Sequence, residues 1–119
     1  MARFQASDHL PLTPAMFQVL VALADGEKHG YAIIKEVARR TDGKVHLRAG
    51  TLYTVIKRFV VDGLIQESAE RPDPALDDER RRYYRLTERG RAVAVAETQR
   101  LSETLAQARA KLALGLRRS

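Results

Sequence analysis

The chain has 119 residues, the size of one domain with an appended helix, and 45% of them are apolar, enough for a modest core. It contains no Cys and no Trp, which excludes disulfides and thiolate metal sites, and its formal charge of +6 favours a polyanionic partner. The opening MARFQASDHLPLT has no apolar signal-peptide core, and no apolar run approaches membrane-spanning length. The expectation is therefore a soluble, cytoplasmic protein with no membrane partner.

Residues 1–12 are a Pro-containing lead with little periodicity, expected to be flexible. Thr13-Pro14 is a helix start: Thr caps, and Pro takes the first helical position, where its missing N–H costs nothing. Met16, Val19, Leu20 and Leu23 mark the core stripe of this first helix, and Asp25-Gly26 is its expected end. A second helix is predicted from His29-Gly30 to about Arg40, with Tyr31, Ile34 and Ala38 on one side and Ile33 and Val37 adjacent. Thr41-Asp42-Gly43 is its stop.

The run Lys44–Ile65, KVHLRAGTLYTVIKRFVVDGLI, is the most informative stretch. It opens basic, turns at Ala49-Gly50, and then places Leu52, Val55, Ile56 and Phe59 on one helical stripe. Thr51, Tyr53, Thr54, Lys57 and Arg58 occupy the other face, and no acid lies between Lys44 and Arg58. A short helix of this kind suits a DNA major groove: the cations neutralise phosphates, and the hydroxyls reach phosphates or base edges. A plain solvated helix face has the same composition.

After Gly63 the pattern changes. Leu64–Glu67 is a short strand candidate, and residues 70–79, ERPDPALDDE, are a polar loop unable to form helix interior or core strand. Residues 81–86, RRYYRL, return as a second strand. Three helices followed by two strands around a long loop give a winged helix-turn-helix, so the fold class is mainly α with a small β-hairpin. Thr87 then caps a long helix to about Leu114, on which Ala94, Leu101, Leu105, Ala108 and Leu112 form a seam too long for so small a domain to cover. Self-association into a homodimer is the simplest solution; folding back onto the same domain is the other. The expected organisation is a lead over 1–12, a DNA-binding domain over 13–86, a dimerisation helix over 87–114 and a mobile tail over 115–119.

In order and spacing, several short pieces now resemble the PadR family of bacterial transcriptional regulators. They are Leu23-Ala24-Asp25-Gly26 with His29-Gly30-Tyr31, then Gly50-Thr51-Leu52-Tyr53, Lys57-Arg58, Asp62-Gly63-Leu64-Ile65, and Arg82 through Gly90. The resemblance implies a winged-helix dimer joined through its last helix, binding double-stranded operator DNA and usually repressing. It implies DNA contacts at Thr51, Tyr53 and Lys57, with Tyr31 where the second helix crosses the backbone. Relatives often release DNA when a small, frequently aromatic or cationic, compound binds near the dimer interface; a small apolar or aromatic effector, if this chain has one, is expected between the first helix and the last. Phe59-Val60-Val61 departs from the family's usual Leu-Glu-x by removing an acid near the helix end.

The candidate DNA-binding set is thus Tyr31, Lys44, Arg48, Thr51, Tyr53, Thr54, Lys57, Arg58, Arg80 and Arg81. Tyr53 either offers its hydroxyl to DNA or packs its ring at the helix edge. Arg58 either clamps a phosphate or pairs with Asp62 four residues on. Arg80 and Arg81 either follow the DNA or are neutralised by Asp77, Asp78 and Glu79. His9, His29 and His46 have no ligand spacing, so neither metal nor cofactor is expected; His29 suits the turn into the second helix. Gly26, Gly30 and Gly43 stand singly at helix ends, giving no phosphate loop, and no catalytic constellation is visible. The alternatives are a winged-helix protein–protein interaction module, which need not keep a basic third helix, and a non-specific nucleic-acid binder.

Overall fold

The computed structural model describes residues 3–68 and 82–118, with side chains through Ala113. Its helices are α1 (Pro14–Ala22), α2 (Gly30–Arg40), α3 (Ala49–Val61) and α4 (Glu88–Arg118). Its strands are β1 (Lys28–His29), β2 (Ile65–Glu67) and β3 (Tyr83–Leu86), and a 3-10 turn (Ala6–His9) precedes α1.

The first helix starts as its sequence dictates. The Thr13 hydroxyl accepts from the Met16 N–H at 3.1 Å, and Pro14 follows it. It buries Val19, Leu20 and Ala22 but stops at Ala22, short of Asp25-Gly26, which instead belong to the turn after it. His29 caps α2, its Nδ1 accepting from the Ala32 N–H at 3.0 Å.

The buried face of α2 differs from the expected one. Gly30, Ile33 and Val37 turn inward, whereas Tyr31 is 53% exposed. The cause lies on α3: a Cβ at Gly30 would overlap the Tyr53 hydroxyl, so the α2 backbone can meet α3 only along its glycine side. That rotation sends Tyr31 outward. The α3 stripe is as expected, with Leu52, Val55, Ile56 and Phe59 all buried, although Ala49-Gly50 forms the first helical residues rather than a turn. Gly63, at φ 75°, ends the helix in the left-handed region, and the Leu64 N–H donates to the Phe59 carbonyl at 2.9 Å.

The sheet has three antiparallel strands in the order β1-β3-β2, not the two of a simple hairpin. β3 is central, pairing Ile65 with Leu86 on one side and His29 with Tyr83 on the other. The polar loop over 70–79 lies outside the described residues, as do Arg80 and Arg81.

α4 is helical through Arg118, past the Leu114 expected as its end. The lead meets the domain: Phe4, Ala6, Leu10 and Leu12 pack on the core, and the Arg89 guanidinium lies 5.0 Å from the Phe4 ring centroid. Its anchor is Glu97, only 1% exposed, whose Oε2 accepts from the Leu12 N–H at 2.8 Å. Arg100 donates to both Glu97 oxygens, completing the satisfaction a buried carboxylate requires.

The Arg100 hydrogen bond holds the Glu97 carboxyl below its usual range, against the opposing effect of burial, with the Leu12 N–H assisting. A carboxyl lowered on folding contributes fully above its unfolded pKa and loses that contribution as pH falls through the lowered folded value. Glu97→Gln is therefore expected to cost about 1–2 kcal/mol at neutral pH, since Arg100 remains partly solvated. The gap from the parent protein should close on acidification, and the Leu12 amide should exchange faster; urea unfolding across pH and hydrogen exchange check both.

Candidate nucleic-acid interface

Because the α3 stripe faces the core, Thr51, Thr54, Lys57 and Arg58 stand exposed on its outer side. They are not equivalent. The Thr54 hydroxyl donates to the Gly50 carbonyl at 2.9 Å and keeps its lone pairs for an incoming donor. Arg58 Nε donates to Asp62 Oδ2 at 3.1 Å, so the structure brings together the intrahelical pair anticipated as one of its two roles. Tyr53 is half-buried against the core, with its hydroxyl end over Gly30. Its ring acts as a spacer between α2 and α3, which is the packing role.

The connection from α2 to α3 carries more of the surface. The Thr41 hydroxyl donates to the Val37 carbonyl at 2.8 Å and accepts from the Val45 N–H at 3.1 Å, fixing the path of the chain. Leu47 is buried and Val45 half-buried, while Lys44, His46 and Arg48 are exposed. This alternation sends the apolar side chains inward and the basic ones outward. Arg48 is the N-cap of α3 and gives it no side-chain cap, and no acid occupies the first turn, so the positive helix end faces solvent.

Tyr31 lies with its ring centroid 5.0 Å from Lys35 Nζ and 6.5 Å from the His29 ring, which meets Tyr83 edge-on. The outer row of α2 continues through Lys35 and Arg39, both exposed. Neither was among the sequence candidates, although their spacing from Tyr31 at i+4 and i+8 was the available signal. Arg80 and Arg81 are outside the described residues, and the neighbouring Arg82 approaches Glu67 at 3.7 Å.

Much of the remaining basic charge is spoken for. Lys28 pairs with Asp25 and lies 3.4 Å from Glu36, and its hydrogen bond holds the Asp25 carboxyl below the usual range. Arg40 meets Glu36 at 3.6 Å and donates to Gln18 of α1 at 2.7 Å. Among the described residues, no group of His and carboxylates could hold a metal ion, and no helix is long and apolar enough to cross a membrane.

The expected self-association seam on α4 divides in two. Ala94 packs against its own core, beside the buried Val93 and Glu97. Leu101, Leu105 and Leu112 are 40%, 50% and 64% exposed, and Ala108 is half-buried.

A family model described as the transcriptional regulator PadR-like family matches residues 19–96. A transcriptional regulator from Clostridium thermocellum, at 26% identity, superposes with a TM-score of 0.65 over 75% of this chain and 83% of that one. A PadR family transcription regulator from Clostridium difficile shares the fold with a TM-score of 0.66 at 23% identity, over 84% of this chain and 98% of that one. An uncharacterized protein of Lysinibacillus sphaericus is 31% identical over 74 residues, 62% of this chain and 65% of the relative's own length.

The geometry separates a structural tyrosine from freely exposed side chains. Tyr53→Ala is expected to cost about 3 kcal/mol or more by opening a cavity between α2 and α3. Thr51→Ala and Lys57→Ala should each stay within about 0.5 kcal/mol of the parent. Thermal and urea unfolding measure both.

Proposed function

The chain belongs to the PadR-like family of transcriptional regulators, which are not enzymes, and on that premise we propose that it binds double-stranded operator DNA as a homodimer and represses transcription. The observation that carries this reading is α3, buried along one stripe and presenting Thr51, Thr54 and Lys57 outward with no acid between Lys44 and Arg58. In this reading α3 enters the major groove. Thr51 and Thr54 meet base edges or phosphates, and Lys57 meets a phosphate. Lys44 and Arg48 neutralise phosphates beside the groove, while Tyr31 meets the backbone from α2. Arg58 contributes only if it leaves Asp62, and Arg80 and Arg81 would act from the wing.

Dimerisation rests on the α4 seam. Gly90, Ala94 and Glu97 lie on one helix face, which continues through Leu101, Leu105, Ala108 and Leu112 after its own domain has ended. A second copy of the same helix would cover that continuation and set two reading helices at two half-sites. Release by a small apolar or aromatic effector between α1 and α4 fits the same architecture, since those two helices pack directly and a wedge there would change the angle of the reading head.

The test is binding to a duplex from immediately upstream of the coding region against a scrambled duplex, at two salt concentrations. A preference of tenfold or more, about 1.4 kcal/mol, is expected for the upstream duplex, and Thr51→Ala with Lys57→Ala should erode it. Equal binding that collapses together as salt rises would make the protein a non-specific binder. In sedimentation, Leu105→Glu is expected to shift the protein from dimer to monomer while the circular dichroism of the helical domain persists; a monomeric parent protein would overturn the dimer.

A further inference from the structure

We infer that Asp62 limits the affinity of the reading helix for DNA by holding Arg58 back from the phosphates, as a positioning residue that acts through Arg58. This rests on the DNA-binding reading above and adds to it a restraint built into α3 itself.

Arg58 belongs to the row that would meet DNA. It follows Thr54 by four residues and Thr51 by seven, so the three share the side of α3 away from the buried Leu52, Val55, Ile56 and Phe59. Its side chain is 66% exposed, yet its Nε donates to Asp62 Oδ2 at 3.1 Å. Asp62 lies one turn nearer the C-terminal end of α3, so the bond draws the guanidinium away from Thr51, Thr54 and the positive N-terminal end of the helix. No other carboxylate lies within 4.0 Å of Arg58 among the described residues. The sequence has no acid between Asp42 and Asp62. On this row, Asp62 is what opposes a polyanion.

Stability does not account for the acid. Asp62 is the C-cap of α3, at the negative end of the helix dipole, where a carboxylate is unfavourable. The order of the pair, base before acid, is also the weaker of the two along a helix. The acid is nonetheless held firmly. Its N–H donates to the Arg58 carbonyl at 3.0 Å, and Gly63 turns the chain directly after it. Its side chain, 26% exposed, lines the cleft between the end of α3 and the lead, with Leu10 and Leu12. The carboxylate therefore stays in place, and the longer Arg58 side chain is the partner that swings. A single hydrogen bond near solvent is a brake that a phosphate can release, and its effect is to withhold part of the affinity.

The test is a double-mutant cycle with Asp62→Asn, Arg58→Ala and the two combined, on the upstream and scrambled duplexes over a salt series. Asp62→Ala repeats it with a second side chain, and parent-like thermal unfolding separates the restraint from damage to the end of α3. Asp62→Asn should tighten binding to both duplexes by up to about fivefold, the most that an exposed pair withholds. The slope of log affinity against log salt should steepen by about 0.9, for the one phosphate that Arg58 gains. Arg58→Ala should weaken the Asp62→Asn variant more than it weakens the parent, and should remove the added slope. Equal tightening with and without Arg58 would reflect only the loss of a negative charge and overturns the inference. Weaker binding by Asp62→Asn would make Asp62 a support for Arg58, and parent-like binding would make it idle; each overturns the inference while the DNA reading stands. Failure of the parent protein to bind either duplex at low salt overturns both.

Discussion

Everything in this molecule meets at one backbone crossing, where the end of α3, the start of β2 and the start of α4 are tied together. The Thr87 N–H donates to the Leu64 carbonyl at 3.0 Å, and its hydroxyl lies 2.7 Å from the Gly63 carbonyl and 2.9 Å from that of Leu64. The same hydroxyl accepts from the Gly90 N–H at 3.0 Å, capping α4. Gly90 completes the crossing, because any Cβ there would overlap the Leu64 carbonyl oxygen. Thr87 thus caps α4 while bonding the two carbonyls that follow α3, and the start of α4 is tied to the end of α3 by hydrogen bonds rather than by packing alone.

From that crossing α4 runs back over the domain and is clamped a second time by the lead. Glu97 and Leu12 are 85 residues apart in the chain, yet their bond makes the segment before α1 part of the α4 seat. The sequence around each residue gives no sign of it. A glutamate followed three residues later by an arginine reads as a surface pair, and a Pro-containing lead reads as a frayed end. Only the burial of Glu97 turns that pair into an anchor, because desolvation makes each of its hydrogen bonds obligatory.

The legible parts share a common property: their cause is local. Thr13-Pro14, the His29 cap and the apolar stripe of α3 each follow from residues within a few positions of one another, and the structure reproduces them. The illegible parts depend on distant partners. Two-residue β1 exists only because β3 supplies Tyr83 and Tyr84 as its mates. The rotation of α2 depends on Tyr53, and with it the exposure of Tyr31, since two adjacent stripes of that helix were equally apolar. In the candidate interface, residue types pointed to Thr51, Thr54 and Lys57. Whether Arg58 was paired, whether Tyr53 was packed, and whether Lys35 and Arg39 were free were matters of three-dimensional neighbours.

That dependence also explains why the basic charge divides as it does. A cation near the edges where α1, α2 and β1 meet has a carboxylate within reach, and pairing there ties those elements together at the rim of the core they share. On the outer sides of α2 and α3, Arg58 pairs with Asp62, whereas Lys35, Arg39 and Lys57 have no carboxylate within 4.0 Å among the described residues. Supplying them with acids would bring modest stability, on the order of 0–1 kcal/mol for an exposed pair, and would cancel the field that attracts a polyanion. On the proposed reading, the scarcity of free acids between Lys35 and Lys57 is the cost in stability that keeps this surface available to DNA. The exposed half of α4 follows the same logic with apolar groups: Leu101, Leu105 and Leu112 are 40%, 50% and 64% exposed in the single chain, and on the proposed reading a second copy covers them.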